Sequence, residues 1–295
     1  MGGTVNTTYG VQNFGFSTTN ATGPGNIYAA LQGMLPYAVP YDSTGKRILL
    51  PGGDINISNP VDENDYNINL RKTLRVLGSI YAEVKIVNGL RYRVNFGPDF
   101  QNYYNGRWMD ANSINRGGGN PGSTNYAQLN QTSNLSWTLD NLLYYDKSIK
   151  GTHNHDFGVT LLQSSLYRRS ETSSMTATKL PLPNQKWYAL NAVSALDGFS
   201  SGLTENSITS YMARVNYAFD QKYLITAFVR WDGASVLAAG NKWDVFPSVS
   251  IGWRLDNEPF MKDATWITSL KLRAGIATVG NAAVGPYTTL GGLQG

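Results

Sequence analysis

The sequence predicts an antiparallel all-β chain of the up-and-down transmembrane-barrel type, a partial wall of about nine strands with long extracellular loops. Three observations predict it. Apolar residues recur at every second position, the period of a strand with one dry face, rather than every 3.6. Aromatic residues stand at both ends of the apolar stretches. Short and long connections alternate along the chain, as in a barrel with short turns at one rim and long loops at the other.

The strands are expected near residues 4–16, 72–87, 90–104, 132–147, 154–167, 207–219, 222–232, 245–255 and 269–279. In the third, Leu90, Tyr92, Val94 and Phe96 alternate with Arg91, Arg93 and Asn95. In the fourth, Leu135, Trp137, Leu139, Leu143 and Tyr145 share a face that Asn141 interrupts. Tyr211, Ala213, Val215, Tyr217 and Phe219 alternate with Met212, Arg214, Asn216 and Ala218. Tyr223, Ile225, Ala227, Val229 and Trp231 oppose Lys222, Leu224, Thr226, Phe228 and Arg230. The eight residues from Tyr223 to Trp231 span roughly 26 Å along a strand, close to the apolar band of an outer-membrane barrel at about 25 Å. Val249, Ile251, Trp253 and Leu255, then Leu270, Leu272, Ala274 and Ile276, continue the pattern.

Asn88-Gly89 suits a type I′ turn, in which both central residues take positive φ. The segments 148–152 and 220–221 are also short, and 257–268 is the longest of that set. Long polar segments cover 18–71, 105–131, 168–206 and 233–244. A soluble all-β protein also alternates, so an all-β carbohydrate-binding module stands as the other reading.

Composition narrows the function. Charged residues make up 15% of the 295, against roughly 25% in ordinary soluble domains. A net charge of +4, scattered along the chain, does not imply nucleic acid. The absence of cysteine excludes a disulfide scaffold, a thiolate zinc site and a Cys nucleophile. No apolar run reaches membrane-helix length; Met34–Tyr41 is broken by Pro36 and Pro40. The N-terminal residues do not read as a signal peptide, so the chain is expected to be a piece of a longer one.

No catalytic set is found, and no enzyme or cofactor is expected. There is no Gly-Xaa-Ser-Xaa-Gly elbow and no His-Glu-Xaa-Xaa-His. His153 and His155 lack a third convergent metal ligand and read as turn histidines. Asp62, Glu63 and Asp65, with Asn64 and Asn67, would supply oxygens to a Ca²⁺ ion, but a solvated loop is the plainer account. No metal site is therefore assigned. Trp137, Tyr211, Phe219, Tyr223, Trp231 and Trp253 read as membrane-interface anchors. Tyr103, Tyr104 and Trp108 flank Arg107 at the start of the second long segment, and Trp187 and Tyr188 lie in the third; they suit stacking on sugar rings or peptide groups.

The stretch 210–281 resembles the barrel of the SusC/RagA-type TonB-dependent outer-membrane transporters. The resemblance is carried by Tyr211 through Tyr217, Lys222-Tyr223-Leu224, Arg230 with Asp232-Gly233, Asn241-Lys242-Trp243 and Phe246-Pro247-Ser248. It continues through Gly252-Trp253-Arg254, Glu258-Pro259-Phe260-Met261-Lys262, Leu270-Lys271-Leu272-Arg273 and Gly280-Asn281. Weaker similarity covers Leu77–Phe96, Asn141–Lys147 and Tyr41-Asp42-Ser43-Thr44-Gly45. Ala234-Ser235-Val236-Leu237 and Ala277-Thr278-Val279 depart from the usual form.

The resemblance implies outer-membrane nutrient import, with an oligosaccharide or peptide as substrate. It also implies outer-membrane lipid, a SusD-like surface lipoprotein and the TonB complex as partners. Residues 1–295 would then be part of a barrel of about 22 strands, with the plug, the N-terminal domain and the remaining strands absent. Arg214, Asn216, Arg230, Arg254, Lys271 and Arg273 would keep the lumen wet.

Overall fold

The computed structural model describes residues 1–13, 30, 32–55, 57–193, 196–261 and 266–290. The expected strand positions 14–16 and Lys262 of the matching series lie outside the described residues. Nine strands follow in order: β1 (Gly2–Asn13), β2 (Asn67–Val87), β3 (Leu90–Met109), β4 (Tyr126–Ile149), β5 (His155–Thr178), β6 (Gly198–Phe219), β7 (Tyr223–Ala234), β8 (Trp243–Arg254) and β9 (Lys271–Ala277). They form a single sheet ordered β1 to β9, every neighbouring pair antiparallel. The sheet does not close: among the described residues β1 and β9 do not pair with each other. A short helix, α1 (Pro60–Tyr66), leads into β2. No helix among the described residues is long and apolar enough to cross a membrane.

Register carries the alternation from strand to strand. Phe219 faces Tyr223, which faces Trp253, which faces Leu272. Val215 faces Ala227, which faces Val249, which faces Ile276. A slip of one residue would turn each strand's apolar set onto the polar side. The sheet therefore has one apolar and one polar face over its whole width.

The strands are longer than the alternation suggested. β2 through β6 run from 20 to 24 residues, so β5 continues to Thr178 and β6 starts at Gly198, inside the expected loop 168–206. The added parts, such as Arg168–Thr178 against Gly198–Asn206, are mostly polar on both faces, with Met175, Ala177, Phe199 and Leu203 as the apolar exceptions. Period two is visible only where one face is dry, whereas the hydrogen-bonded ladder continues wherever a neighbour continues. For the same reason β4 begins at Tyr126 within the expected loop 105–131.

The first hairpin differs from its expected turn. Gly89 takes a positive φ of 83°, but Asn88 is not among the residues with positive φ. The register skips Ile86, pairing Lys85 with Arg91 and Val87 with Leu90. A bulge thus supplies the twist that a type I′ turn would have provided. A side chain at Gly89 would also meet the Asp146 carbonyl oxygen, so this glycine is needed for approach as well as conformation. The pair of positive φ values occurs instead at Asp220 and Gln221, 49° and 56°, where Lys222 N–H closes the turn onto Phe219 O at 2.9 Å.

Candidate functional site

The apolar face is edged by two rows of aromatic rings. Toward the short turns, Phe157 packs near Tyr217 at 4.8 Å between ring centroids, His155 near Phe219 at 5.2 Å, Phe219 near Tyr223 at 6.3 Å and Tyr223 near Trp253 at 6.4 Å. Toward the long loops, Trp137 lies 5.8 Å from Tyr167, Tyr211 lies 6.1 Å from Trp231, and Trp231 lies 4.6 Å from Trp243. All six expected interface aromatics stand in these rows. Between the rows the face is uncovered. Val229 is 41% exposed, Ile251 57% and Trp231 46%, and no second layer of the chain lies over them among the described residues.

Beyond the upper row the same face is treated differently. Trp108, Ala127 and Ala177, in register across β3 to β5, are buried together with Leu180, Trp187 and Leu190. The cover is the chain's own third long loop, whose 3₁₀ segment Pro183–Ala192 lies over these strands. Trp187 Nε1 donates to the Tyr104 hydroxyl at 2.7 Å, and its ring rests on Gly106, where a Cβ would come within 2.2 Å of the indole.

This placement separates the six residues expected to touch substrate. Trp108 and Trp187 are each 4% exposed, within the small core, and Tyr104 packs against it. Tyr188 is exposed beside Trp187. Tyr103 and Arg107 alternate onto the polar face, where Tyr103 is level with Thr132 and Arg107 with Gln128.

The polar face is a lawn of amides and hydroxyls with scattered guanidinium groups. Arg230 pairs with Asp232 at 2.7 Å and donates to Ser210 Oγ at 3.0 Å. Asn105 donates to Asn69 at 2.7 Å, Ser174 to Asn130 at 2.6 Å and Ser164 to Asp140 at 2.6 Å. Arg168 and Arg214 are exposed on this face.

The first two long loops are joined at Glu63, which is fully buried. Its Oε1 accepts from Ile114 N–H at 2.7 Å; its Oε2 accepts from Asn67 Nδ2 at 2.7 Å and Ser113 Oγ at 2.8 Å. Burial pushes this carboxyl above the usual carboxylate range, and the three donors hold it back only in part. Asp62 and Asp65 are bridged by Arg47 at 2.9 and 2.6 Å. A guanidinium therefore sits where a cation would have to, and Glu63 points elsewhere. Position on a helix did not reveal this, because α1 is too short and polar to signal itself.

At the opposite rim, Glu258 is 7% exposed and accepts from Trp253 Nε1 at 3.0 Å, the Tyr223 hydroxyl at 2.9 Å and Lys222 Nζ at 3.1 Å. Trp253 first, then Tyr223 and Lys222, hold its carboxyl below the usual range. Asp220 accepts from Asn154 N–H at 2.6 Å and meets His153 Nδ1 at 2.7 Å, tying two neighbouring turns together. His155 Nδ1 meets the Tyr217 hydroxyl at 2.8 Å, so the two histidines have separate partners.

An open antiparallel sheet with an aromatic-edged apolar face narrows the comparisons to membrane barrels. No family model matches the chain. It is 30% identical over 280 residues to TonB-dependent receptor P3 of Formosa agariphila, covering 92% of this chain and 26% of that one. It is 40% identical over 82 residues to TonB-dependent receptor SusC of Bacteroides thetaiotaomicron, covering 28% of this chain and 8% of that one. The structure of the RagAB peptide transporter superposes with a TM-score of 0.72 at 19% identity, over 96% of this chain and 31% of that one. The chain belongs to the SusC/RagA-type TonB-dependent receptors. It spans about a quarter of the length of the receptors P3 and P26 that it matches. These relatives are named as receptors and a transporter, not as enzymes. In this SusC/RagA-type wall, the nine strands superpose on the RagAB barrel.

Proposed function

We propose that residues 1–295 form part of the barrel domain of a SusC-like importer of the outer membrane, with the plug, the N-terminal domain and the remaining strands supplied by a longer protein. One observation carries the reading. A single sheet face is left uncovered between two aromatic rows and is covered by the chain's own loop beyond them. Water would favour covering both parts, because bare apolar surface is costly in it. Hydrocarbon removes that cost over the band alone. Aromatics roughly 26 Å apart along a strand, tilted by about 40°, project to about 20 Å, which fits inside a band about 25 Å tall.

The polar face then lines the lumen, and Tyr103 and Arg107 are the two expected contact residues that face substrate. The substrate is an oligosaccharide or a peptide; RagAB, which this chain resembles in fold, is a peptide importer. A SusD-like lipoprotein and the TonB complex complete the assembly. The test is to delete the gene and measure uptake of defined oligosaccharides and peptides, alongside membrane fractionation of the wild type. Outer-membrane location and loss of uptake of one ligand class support the proposal. Recovery of the protein as a soluble monomer without detergent overturns it in favour of a soluble binding module.

A further inference from the structure

A hollow of about 520 Å³ indents the polar face toward the short turns. It exists because side chains are small or missing there. One register row carries Gly158, Asn216, Thr226 and Ser250 across β5 to β8. The row below carries Ala218, Gly252 and Arg273. Thr226 stands three residues above Tyr223, roughly 10 Å along the strand, which puts the hollow in the lower half of the wall. Lys271 leans over Gly252, where a Cβ would come within 3.0 Å of its Cε.

The uncommitted groups around this floor are donors. Arg230 and Arg254, cations on β7 and β8 of the same face, are paired with Asp232 at 2.7 Å and Asp256 at 3.0 Å. Lys271 and Arg273 have no carboxylate within 4 Å among the described residues. Asn216 Oδ1 accepts from Thr226 Oγ1 at 3.0 Å and from Arg214 Nε at 3.2 Å. Its Nδ2 lies 3.8 Å from where a Cβ on Gly158 would stand, and donates to no other described residue. The carboxylates at the far side of the hollow are engaged: Asp156 accepts from Ser148 and Gln221, and Asp146 meets Arg91 at 3.5 Å. An ammonium, a guanidinium and an amide N–H₂ around one floor suit an oxyanion, and a guanidinium fork matches both oxygens of a carboxylate.

We propose, resting on the transport reading above, that Lys271, Arg273 and Asn216 form a subsite for a carboxylate carried by the permeating substrate. That group is the C-terminus of a peptide or the acid of a uronic sugar. The subsite lies low in the lumen, so it acts on substrate already inside and favours acidic over neutral members of either class.

Cells making the full-length receptor are offered four labelled probes: trialanine, trialanine amide, a galacturonic acid trimer and a neutral galactose trimer. In the pair Lys271→Gln and Arg273→Gln, uptake of a carboxylate probe should fall about tenfold, as expected for losing charge-assisted hydrogen bonds. Uptake of the amide and neutral probes should not change. The pair Lys271→Arg and Arg273→Lys, which keeps both charges, should restore the acidic probe at equal receptor level in the outer membrane. A loss confined to trialanine or to the galacturonic acid trimer supports the subsite and names the source of its carboxylate. An undiminished preference for the carboxylate in the glutamine pair overturns the subsite and leaves the transport reading standing. Equal losses for acidic and neutral probes would mean that the two cations brace another part of the receptor, and also overturn it. Wild-type import of none of the four overturns both readings.

Discussion

The two ends of the same strands obey different rules. Between the aromatic rows, Val229 and Ile251 project from the sheet with nothing from the chain above them. Higher on the same face, Ala127 and Ala177 are completely buried under the third long loop. Neither side-chain type nor strand geometry explains this, since both sets are apolar and alternate on one continuous ladder. On the proposed reading what changes is the surroundings: the protein supplies its own cover only where lipid would not. The upper wall would then be an ordinary water-facing structure built on a membrane-facing one.

The sharpest way to test that division is to remove the cover. Trp187→Ala takes away the ring that fills the upper core and rests on Gly106. Loss of a buried tryptophan should cost about 3–5 kcal/mol, confined to the loop and the strand tops. Hydrogen exchange should show lost protection around Leu180 and Met109, with the amides of β7 between Tyr223 and Trp231 unchanged. If those β7 amides loosen equally, the two regions are one cooperative unit and the division fails.

The lower region is tested by charge. Ala227 stands midway between Tyr223 and Trp231 on the apolar face, and Thr226 beside it points to the polar face. In the full-length receptor folded into bilayers, Ala227→Arg should cost about 2–4 kcal/mol, the price of a cation at mid-depth. Thr226→Arg should cost well under half as much, because the lumen is wet. Urea unfolding of the two variants measures the contrast, and equal costs would mean that no lipid covers the Ala227 side.

Between the aromatic rows, the sequence is easy to read. The number of strands and the sidedness of Tyr223, Val229 and Trp253 follow from alternation, since a dry face favours apolar residues, and the strand order from the alternation of short and long connections. Arg168–Thr178 was legible only as loop because polar residues dominate both of its faces, and Met175 and Ala177 alone do not distinguish ladder from coil. The loop aromatics misled for a related reason. Trp187 beside Tyr188 reads the same whether it stacks on a sugar or on Gly106, and only the fold of the third loop separates one from the other. Asn141 was visible as an interruption, but its pairing with Gln163 depends on register between β4 and β5.

A smaller effect is expected where the first two loops meet. Glu63 accepts three hydrogen bonds, one from the immovable N–H of Ile114. Glu63→Gln places an amide N–H₂ against at least one donor, and the mismatch should cost about 1–3 kcal/mol. Burial raises the folded-state pKa of this carboxyl, so its ionised form is the disfavoured one in the fold. Acidification through the raised value should therefore tighten the junction in the wild type, and the glutamine variant should lose that response. Proteolysis of the 110–125 loop as a function of pH measures both effects; a wild-type loop that opens on acidification would contradict the sign.

The opposite rim should respond in the opposite direction, and more weakly. The Asn154 N–H, followed by His153, holds the Asp220 carboxyl below its ordinary value. A carboxylate depressed in the fold contributes stability above its unfolded pKa of about 4 and loses it as pH falls through the lower, folded value. The Asn154 amide should accordingly lose exchange protection on acidification, while Glu63 holds the loop junction more firmly over its own range. Asp220→Asn keeps an oxygen for the Asn154 N–H but presents N–H₂ to His153, so the amide should remain protected with little dependence on pH. Because Asp220 is near solvent, salt should reduce the wild-type response. If Asn154 protection in the wild type is flat with pH, the carboxylate does not join the two turns, and the rims differ only in length.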